Sequence, residues 1–168
     1  MVLINQKWYK ILELFFEYPD EKFTVRDISK RTKIPSSSVQ RYITQLRKLN
    51  IIDEENKTQK TPYVKFLKTF FMIDKMHKTG LIEYLEKKLI SEVIILFGSV
   101  RKGEYDKESD IDLFIATTTK TDIHLKEFRE KLGHEIQLFI EKDINKLQPH
   151  LFNNVLNGIK LSGYVKVR

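Results

Sequence analysis

The chain has 168 residues and a formal net charge of +7, and 32% of its residues are charged. It has no cysteine, which excludes a disulfide framework and a thiolate metal site. Its start, MVLINQKWYK, lacks the pattern of a secretory signal, and its apolar runs fall short of the roughly 18 residues that span a membrane, so we expect a soluble, cytoplasmic protein of one or two domains.

The excess positive charge lies in the first half of the chain. Residues 1–60 hold 12 lysine and arginine residues against 8 acidic residues, and residues 61–90 hold 6 against 3. Residues 91–168 are balanced, with 12 of each. This asymmetry favours an anionic partner for the first half, although lysine-rich solvated faces are also common.

Three helices are predicted in the first 50 residues. The first covers residues 4–18, where apolar residues recur at helical spacing before Pro19; they are Ile4, Trp8, Ile11, Leu12, Phe15 and Phe16. Thr24 is predicted to cap the second helix, and Ser36 to cap a third that runs to Leu49. Asn50 follows, at the position where a left-handed residue commonly ends a helix.

Two strands are predicted after the third helix. Ile51–Glu54 and Tyr63–Phe66 would pair around a polar tip at residues 55–61. The order of helix, short helix, turn, longer helix and hairpin resembles a winged helix-turn-helix domain over residues 1–66. The stretch TKIPSSSVQRYITQLRKLNIID resembles the recognition-helix region of many archaeal and bacterial regulators.

This resemblance implies that the first domain binds double-stranded DNA. In such modules the third helix enters the major groove and the wing reaches phosphates. The residues expected to face DNA are then Ser36, Ser37, Ser38, Gln40 and Arg41 on the helix, and Lys57 and Lys60 on the wing. Two other interpretations stay open: a small helical domain whose apolar stripes only pack together, and a module for dimerisation or protein docking.

Residues 67–90 are interpreted as linker helices. Apolar residues continue there at helical spacing, and Gly80 interrupts them. The stripe would serve in packing between domains, as the first helix of the following domain, or as the interface of a homodimer. The sequence does not choose among these three roles.

The segment LFGSVRKGEYDKESDIDLFI, residues 96–115, carries the strongest chemical pattern. An apolar strand runs into Gly98-Ser99, a turn that lets backbone N–H groups approach a phosphate. Asp110 and Asp112 follow at the start of a second strand, where alternation directs both carboxylates to one face while Ile111, Leu113 and Ile115 face the core. Paired carboxylates of this kind suit Mg²⁺ or Mn²⁺. Either half alone would favour an ordinary turn and an exposed strand start, and the joint spacing favours a site for nucleotide chemistry.

This pattern resembles the signature of the DNA polymerase β-type nucleotidyltransferase superfamily, in its minimal form, over roughly residues 90–160. The resemblance implies an α+β fold overall, with a small nucleotidyltransferase-like domain at residues 91–168 in which helices flank a mixed β-sheet. Helices are predicted at residues 122–132 and 143–156, with a break at Pro149, and an edge strand at 159–167. By the resemblance, Gly98 and Ser99 bind the phosphates of a nucleoside triphosphate, with ATP the expected nucleotide, while Asp110 and Asp112 hold the metal ions.

The chain departs from the family's pattern at the position of the third acid. Its apolar-Asp-apolar-apolar pattern aligns with Ile136-Gln137-Leu138-Phe139, so Gln137 stands where an acid is expected. Glu135 lies two residues earlier on the same face and is predicted to substitute as a catalytic residue beside Asp110 and Asp112. The four histidines, including His134, have no ligand spacing and are interpreted as ordinary polar residues.

Three functions follow from these features. The first is a DNA-binding nucleotidyltransferase that transfers a nucleoside monophosphate from a nucleoside triphosphate to a hydroxyl. The resemblance adds a protein acceptor such as a HEPN-type toxin, since minimal members of the family often act as antitoxins. The second is a winged-helix transcriptional regulator whose catalytically weakened domain senses nucleotide. The third is a docking protein with vestigial sites.

Overall fold

The computed structural model of the protein describes residues 6–166. The chain divides into two compact units, with the boundary between Val64 and Lys65. This boundary lies two residues before the predicted end of the first domain. The helices interpreted as a linker therefore belong to the second unit. No helix within residues 6–166 has the length and hydropathy needed to cross a membrane.

The first unit is built on three helices: α1 (Gln6–Glu17), α2 (Val25–Thr32) and α3 (Ser36–Lys48). All three were predicted, and Ile4 of the first predicted helix lies outside the described residues. Each helix buries one apolar stripe, and the buried residues are Ile11, Leu12, Leu14, Phe15 and Phe16 on α1, Ile28 on α2, and Val39, Ile43 and Leu46 on α3. Packing of these stripes forms the core of the unit.

The ends of α2 and α3 are formed in different ways. Thr24 caps α2 as predicted, because its hydroxyl accepts from the Asp27 N–H at 3.2 Å while the Thr24 N–H donates to the Asp27 carboxylate at 3.0 Å. The predicted cap at Ser36 is wrong: Pro35 precedes α3, Ser36 is its first helical residue, and no side chain caps it. Asn50 has the predicted left-handed conformation, with a φ of +53°.

The predicted hairpin is shorter than expected. Ile52 and Thr58 form an isolated antiparallel bridge, flanked by a hydrogen bond from the Asp53 N–H to the Lys57 carbonyl. The predicted strand Tyr63–Phe66 is wrong, because these residues lie in the first turns of helix α4 (Pro62–Lys78). The Thr61 hydroxyl accepts from the Val64 N–H at 3.2 Å, and Pro62 has the fixed φ that suits a first helical position, so this segment begins a helix.

The second unit combines helices with one four-stranded sheet. Its elements after α4 are α5 (Leu81–Leu89), β1 (Val93–Phe97), α6 (Gly98–Lys102), β2 (Ile111–Ala116), α7 (Lys126–Leu132), β3 (Ile136–Glu141), a short 3-10 turn (Ile144–Lys146), α8 (Pro149–Leu156) and β4 (Ile159–Gly163). The strand order is β3-β2-β1-β4. Strand β1 is antiparallel to β2 and β4, and β2 is parallel to β3, so the sheet is mixed as predicted.

Apolar residues are buried on both faces of the sheet. Ile111, Leu113 and Ile115 are fully buried, as predicted for the core face. Phe114 points to the face that carries Asp112 and is also fully buried, in a cluster with Val93, Ile95, Phe97, Ala116, Ile144 and Val155. Strict alternation fails at Phe114 because the 3-10 turn and α8 contribute residues to the core on this face. On this face of β2, Asp112 is therefore partly exposed while Phe114 and Ala116 are buried.

Candidate functional site

Two carboxylates lie at the open end of strand β2. Asp110 immediately precedes the strand and Asp112 is its second residue, so both point to the same face. Asp112 is half-buried, and this burial, followed by the negative charge of Asp110, raises the pKa of the Asp112 carboxyl. The pair therefore holds negative charge that is costly in the absence of a cation.

The glycine-serine corner lies directly against one of these carboxylates. Strand β1 ends at Phe97, which is paired in antiparallel register with Asp112. Gly98 follows with a φ of +72°, and a Cβ atom at this position would overlap the Asp112 carboxylate. Position 98 therefore requires glycine for its backbone conformation and for the close approach of Asp112. Ser99 is the next residue, in the first turn of α6.

Gln137 occupies the third position of the site. It is paired in parallel register with Asp112 on the neighbouring strand β3. Its side-chain amide donates a hydrogen bond to the Asp110 carboxylate. The side chain next to the two acids is thus a neutral carboxamide, which can offer an oxygen to a cation but cannot accept a proton from a hydroxyl at neutral pH.

Glu135 immediately precedes strand β3, and its carboxylate has another partner. It forms an ion pair with Arg129 of α7 at 3.2 Å. The structure therefore brings Gly98, Asp110, Asp112 and Gln137 together, and it pairs Glu135 with a helix at the side of this group. Nothing in the sequence pattern indicated the Arg129 contact, because the two residues meet only through the packing of α7 beside β3.

The donor atoms at this site fit a hard divalent cation. Within residues 6–166, no group of three or more histidine, aspartate or glutamate side chains is arranged to hold a metal ion. The available donors are two carboxylates and the Gln137 carboxamide, all oxygen ligands of the kind that Mg²⁺ and Mn²⁺ prefer. Because burial and the charge of Asp110 disfavour the ionised form of Asp112 and raise its pKa, a bound cation would stabilise the ionised pair.

His134 is a buried residue near the site whose place the sequence did not predict. Its Nδ1 lies 2.8 Å from the Ser109 carbonyl oxygen, one residue before Asp110. Its ring packs edge-on against Tyr105, with centroids 5.9 Å apart. An isolated histidine before a strand resembles any polar residue in sequence, and only the fold shows that it supports the loop that leads to Asp110.

The first unit presents its predicted DNA-contacting residues at the start of α3. Ser36, Ser37, Gln40 and Arg41 are exposed and Ser38 is half-buried, with its hydroxyl 3.4 Å from the Arg41 guanidinium. Helix α3 contains no acidic residue. Because none of the three serines caps the helix, their hydroxyls lie outside its capping hydrogen bonds.

The predicted wing residues are less available to DNA phosphates than those of α3, because one is half-buried and the other lies beside an acidic side chain. Lys60 forms an ion pair with Asp20 at 2.9 Å, and Lys57 is half-buried in the hairpin. The loop between Ile52 and Thr58 also carries Glu54 and Glu55, and Glu55 pairs with Lys22 at 2.7 Å. The hairpin is therefore a mixed-charge segment rather than a basic one.

Comparison with known proteins identifies the second unit. A family model described as "Nucleotidyltransferase domain" matches residues 78–161, which is half of the chain. No curated protein and no solved structure matches the chain. The matched range runs from the end of α4 into β4 and includes every residue of the candidate site, from Gly98 to Gln137. The chain therefore belongs to the nucleotidyltransferase domain family.

Proposed function

We propose that the second unit binds a nucleoside triphosphate, with ATP the expected nucleotide, together with Mg²⁺ or Mn²⁺. The observation that carries this proposal is the contact of Gly98 with the Asp112 carboxylate. A phosphate at the glycine-serine corner and a cation at Asp110 and Asp112 would then be immediate neighbours. Opposite charges at that separation strengthen each other's binding, and the cation also removes the repulsion that the phosphate would otherwise meet from the two carboxylates.

Each residue has a distinct role in this proposal. Gly98, which has no side chain, would let a phosphate approach the backbone closely. The Ser99 hydroxyl and N–H can donate to phosphate oxygens. Asp110 and Asp112 would hold the cation, with the Gln137 carboxamide beside them. The bound cation would supply charge neutralisation of the triphosphate.

We further propose that the nucleotide is sensed rather than transferred. In transfer, a hydroxyl oxygen forms a bond to the α-phosphorus, the bond to pyrophosphate breaks, and the hydroxyl proton must go to a base. Gln137, the residue hydrogen-bonded to Asp110, cannot accept that proton. Glu135 is the nearest acid along the chain from Gln137, and its carboxylate forms an ion pair with Arg129 of α7.

The first unit is proposed to be a winged helix-turn-helix domain that binds double-stranded DNA. The exposed, acid-free start of α3 supports this proposal, since serine hydroxyls and Arg41 can contact phosphates while Gln40 or Arg41 reads base edges. The protein would then be a DNA-binding regulator that responds to nucleotide. Because the hairpin carries acidic as well as basic side chains and Lys57 is half-buried in it, we assign the larger share of DNA contact to α3.

The test compares nucleotide binding with nucleotide transfer. We expect ATP labelled at the α-phosphate to bind the protein in the presence of Mg²⁺, and no label to become covalently attached to DNA, RNA or protein. Asp112→Asn should abolish the binding. Absence of binding in the unchanged protein at millimolar Mg²⁺ would contradict the proposal.

Transfer to a hydroxyl acceptor is the second candidate function, favoured by membership of the nucleotidyltransferase domain family. The acceptor would be a tyrosine or serine of a partner protein, such as a HEPN-type toxin, and Glu135 would serve as the base after leaving Arg129. Covalent label on a partner protein, lost in Glu135→Gln but kept in Gln137→Ala, would establish this function in place of sensing.

A further inference from the structure

Helix α4 buries two polar side chains against the segment between Gly98 and Asp110. Lys68 is 4% exposed and Thr69 is 7% exposed. Burying a lysine ammonium is costly unless hydrogen bonds replace its water. Both side chains donate to backbone carbonyls of the segment that runs from the glycine-serine corner to Asp110. These hydrogen bonds replace the water that the two side chains lose on burial, so their role is to hold this segment.

Thr69 holds the beginning of this segment. Its hydroxyl lies 3.0 Å from the Val100 carbonyl oxygen and 3.1 Å from that of Arg101. These carbonyls belong to α6, the helix that starts at Gly98. Next along the chain, Gly103 packs so closely on α4 that a Cβ there would overlap the Lys65 carbonyl. The position of α6 is thus fixed on α4.

Lys68 holds the middle of the segment. Its ammonium donates to the Tyr105 carbonyl and lies 4.5 Å from the centroid of the Tyr105 ring. In return, the Tyr105 hydroxyl donates to the Lys68 carbonyl at 3.3 Å, and Tyr105 is fully buried. The two residues therefore form a reciprocal contact that few side-chain rearrangements would preserve.

The end of the segment is supported from Tyr105. The ring of Tyr105 contacts His134, and the His134 Nδ1 is 2.8 Å from the Ser109 carbonyl oxygen. Asp106 and Ser109 close a tight turn just before Asp110, with the Ser109 hydroxyl donating to the Asp106 carboxylate at 2.9 Å. The path from α4 to the first carboxylate is therefore continuous.

We propose that Lys68 and Thr69 are positioning residues that fix the glycine-serine corner relative to Asp110 and Asp112, and thereby couple cation binding to nucleotide binding. Thr69 fixes the corner side through α6, and Lys68 fixes the carboxylate side through Tyr105. This inference rests on the proposed function of the site. Its specific content is the coupling between the two ligands, since the Lys68 ammonium and the Thr69 hydroxyl both donate to backbone carbonyls of the segment.

Lys75 provides a matched control on the same helix. It is 9% exposed, and its ammonium donates to the Leu132 carbonyl at the end of α7 at 2.7 Å. It thus resembles Lys68 in burial and in hydrogen bonding, but its partner lies outside the segment between Gly98 and Asp110. Replacement of either lysine by methionine removes a buried charge and its carbonyl contact.

The experiment measures Mn²⁺ affinity by electron paramagnetic resonance with and without α,β-methylene-ATP, on the full chain. In the unchanged protein the nucleotide should tighten Mn²⁺ binding. In Lys68→Met and Thr69→Val this tightening should fall by about fivefold or more, the size expected from losing one hydrogen bond to the framework. In Lys75→Met it should be unchanged, although thermal unfolding shows a similar loss of stability.

The outcomes separate the two proposals. If the unchanged protein binds neither Mn²⁺ nor the nucleotide, the proposed function fails. If it binds both, and the folded Lys68→Met and Thr69→Val variants keep the full tightening, the positioning inference is overturned. An equal loss of tightening in Lys75→Met would also overturn it. Should Lys68→Met not fold, Thr69→Val decides, because valine closely matches the shape of threonine.

Discussion

The two units hold their candidate binding residues in contrasting ways. In the second unit, Gly98, Asp112 and Gln137 are held by strand register and by close contact. In the first unit, Ser36, Ser37 and Arg41 lie exposed at the beginning of α3. A small, charged ligand requires side chains in a fixed geometry, whereas exposed basic side chains can bind the DNA backbone by long-range electrostatic attraction. Substitutions should therefore have large, position-specific effects in the second unit and small, graded effects in the first.

The largest effect is expected for Gly98→Ala. The added methyl group would overlap the Asp112 carboxylate, and the residue would keep a positive φ. We expect nucleotide affinity to fall by about a hundredfold and the free energy of unfolding to fall by about 1–3 kcal/mol. Calorimetric titration and chemical denaturation measure these two quantities.

Gly80→Ala is the matched control for this substitution. Gly80 has a similar φ of +79°, but no heavy atom beyond its chain neighbours lies within 4 Å of the added Cβ. The variant should lose about 1 kcal/mol of stability from backbone strain while nucleotide affinity stays unchanged. Equal loss of affinity in the two variants would show that the contact with Asp112 is unimportant.

Asp112→Asn is expected to remove cation binding but to spare the fold. Because burial and Asp110 raise the pKa of the Asp112 carboxyl above its unfolded value, its ionisation opposes folding. The destabilisation develops as the pH rises through the unfolded and then the folded pKa, and it is complete above the latter. At neutral pH without metal, the free energy of unfolding of the variant should therefore be slightly higher than that of the unchanged protein, and the gain is small because solvent screens this half-exposed group.

The measurement is thermal unfolding in a chelator between pH 3 and 7, followed by addition of Mn²⁺. The stability difference between the two proteins should shrink toward low pH, where the native carboxyl is protonated as well. Mn²⁺ should stabilise the unchanged protein alone. An Asp112→Asn protein that is still stabilised by Mn²⁺ would remove Asp112 from the site.

Gln137→Asp would convert the site to three acids. The present amide donates to Asp110, so an acid in its place adds repulsion without metal and a third ligand with metal. We expect lower stability in a chelator and Mn²⁺ affinity higher by about tenfold, roughly 1.4 kcal/mol. Appearance of label transfer in this variant, but not in the unchanged protein, would identify Gln137 as the reason for sensing.

Arg41→Ala tests the first unit and should have the smallest effect. Loss of one phosphate contact lowers DNA affinity by about fivefold to tenfold and reduces the slope of log affinity against log salt by about one. Lys60→Ala is the control, since Lys60 is paired with Asp20 and is expected to contribute little. Gel retardation of DNA at several salt concentrations measures both effects. Equal effects of the two substitutions would show that the wing contributes to DNA binding as much as α3 does.

The features that sequence predicted best are local ones. Strand alternation was sufficient to direct Asp110 and Asp112 to one side, which needs only the two-residue period of a strand. The pattern of the resembled family assigned Gln137 to the third acidic position, and the structure pairs Gln137 with Asp112. The left-handed conformation at Asn50 was equally local, since a helix end and an asparagine were adjacent in the chain.

The features that sequence missed depend on tertiary contacts or on ambiguous patterns. Tyr63–Phe66 fits a strand and a helix equally well, and the cap at Thr61 decided for the helix. The sequence around Lys68 is typical of a solvated lysine, and its contact with Tyr105 arises only in the folded chain. The partner of Glu135 could not be predicted, because Arg129 approaches only when α7 packs beside β3.

Calorimetric titration of α,β-methylene-ATP into the full chain, first with Mn²⁺ and then with a chelator, decides whether nucleotide and cation share one site. We predict saturable binding that requires Mn²⁺ and disappears in Gly98→Ala and Asp112→Asn. Binding that persists in the chelator, or that survives both substitutions, would contradict a shared site at the glycine-serine corner and the two aspartates.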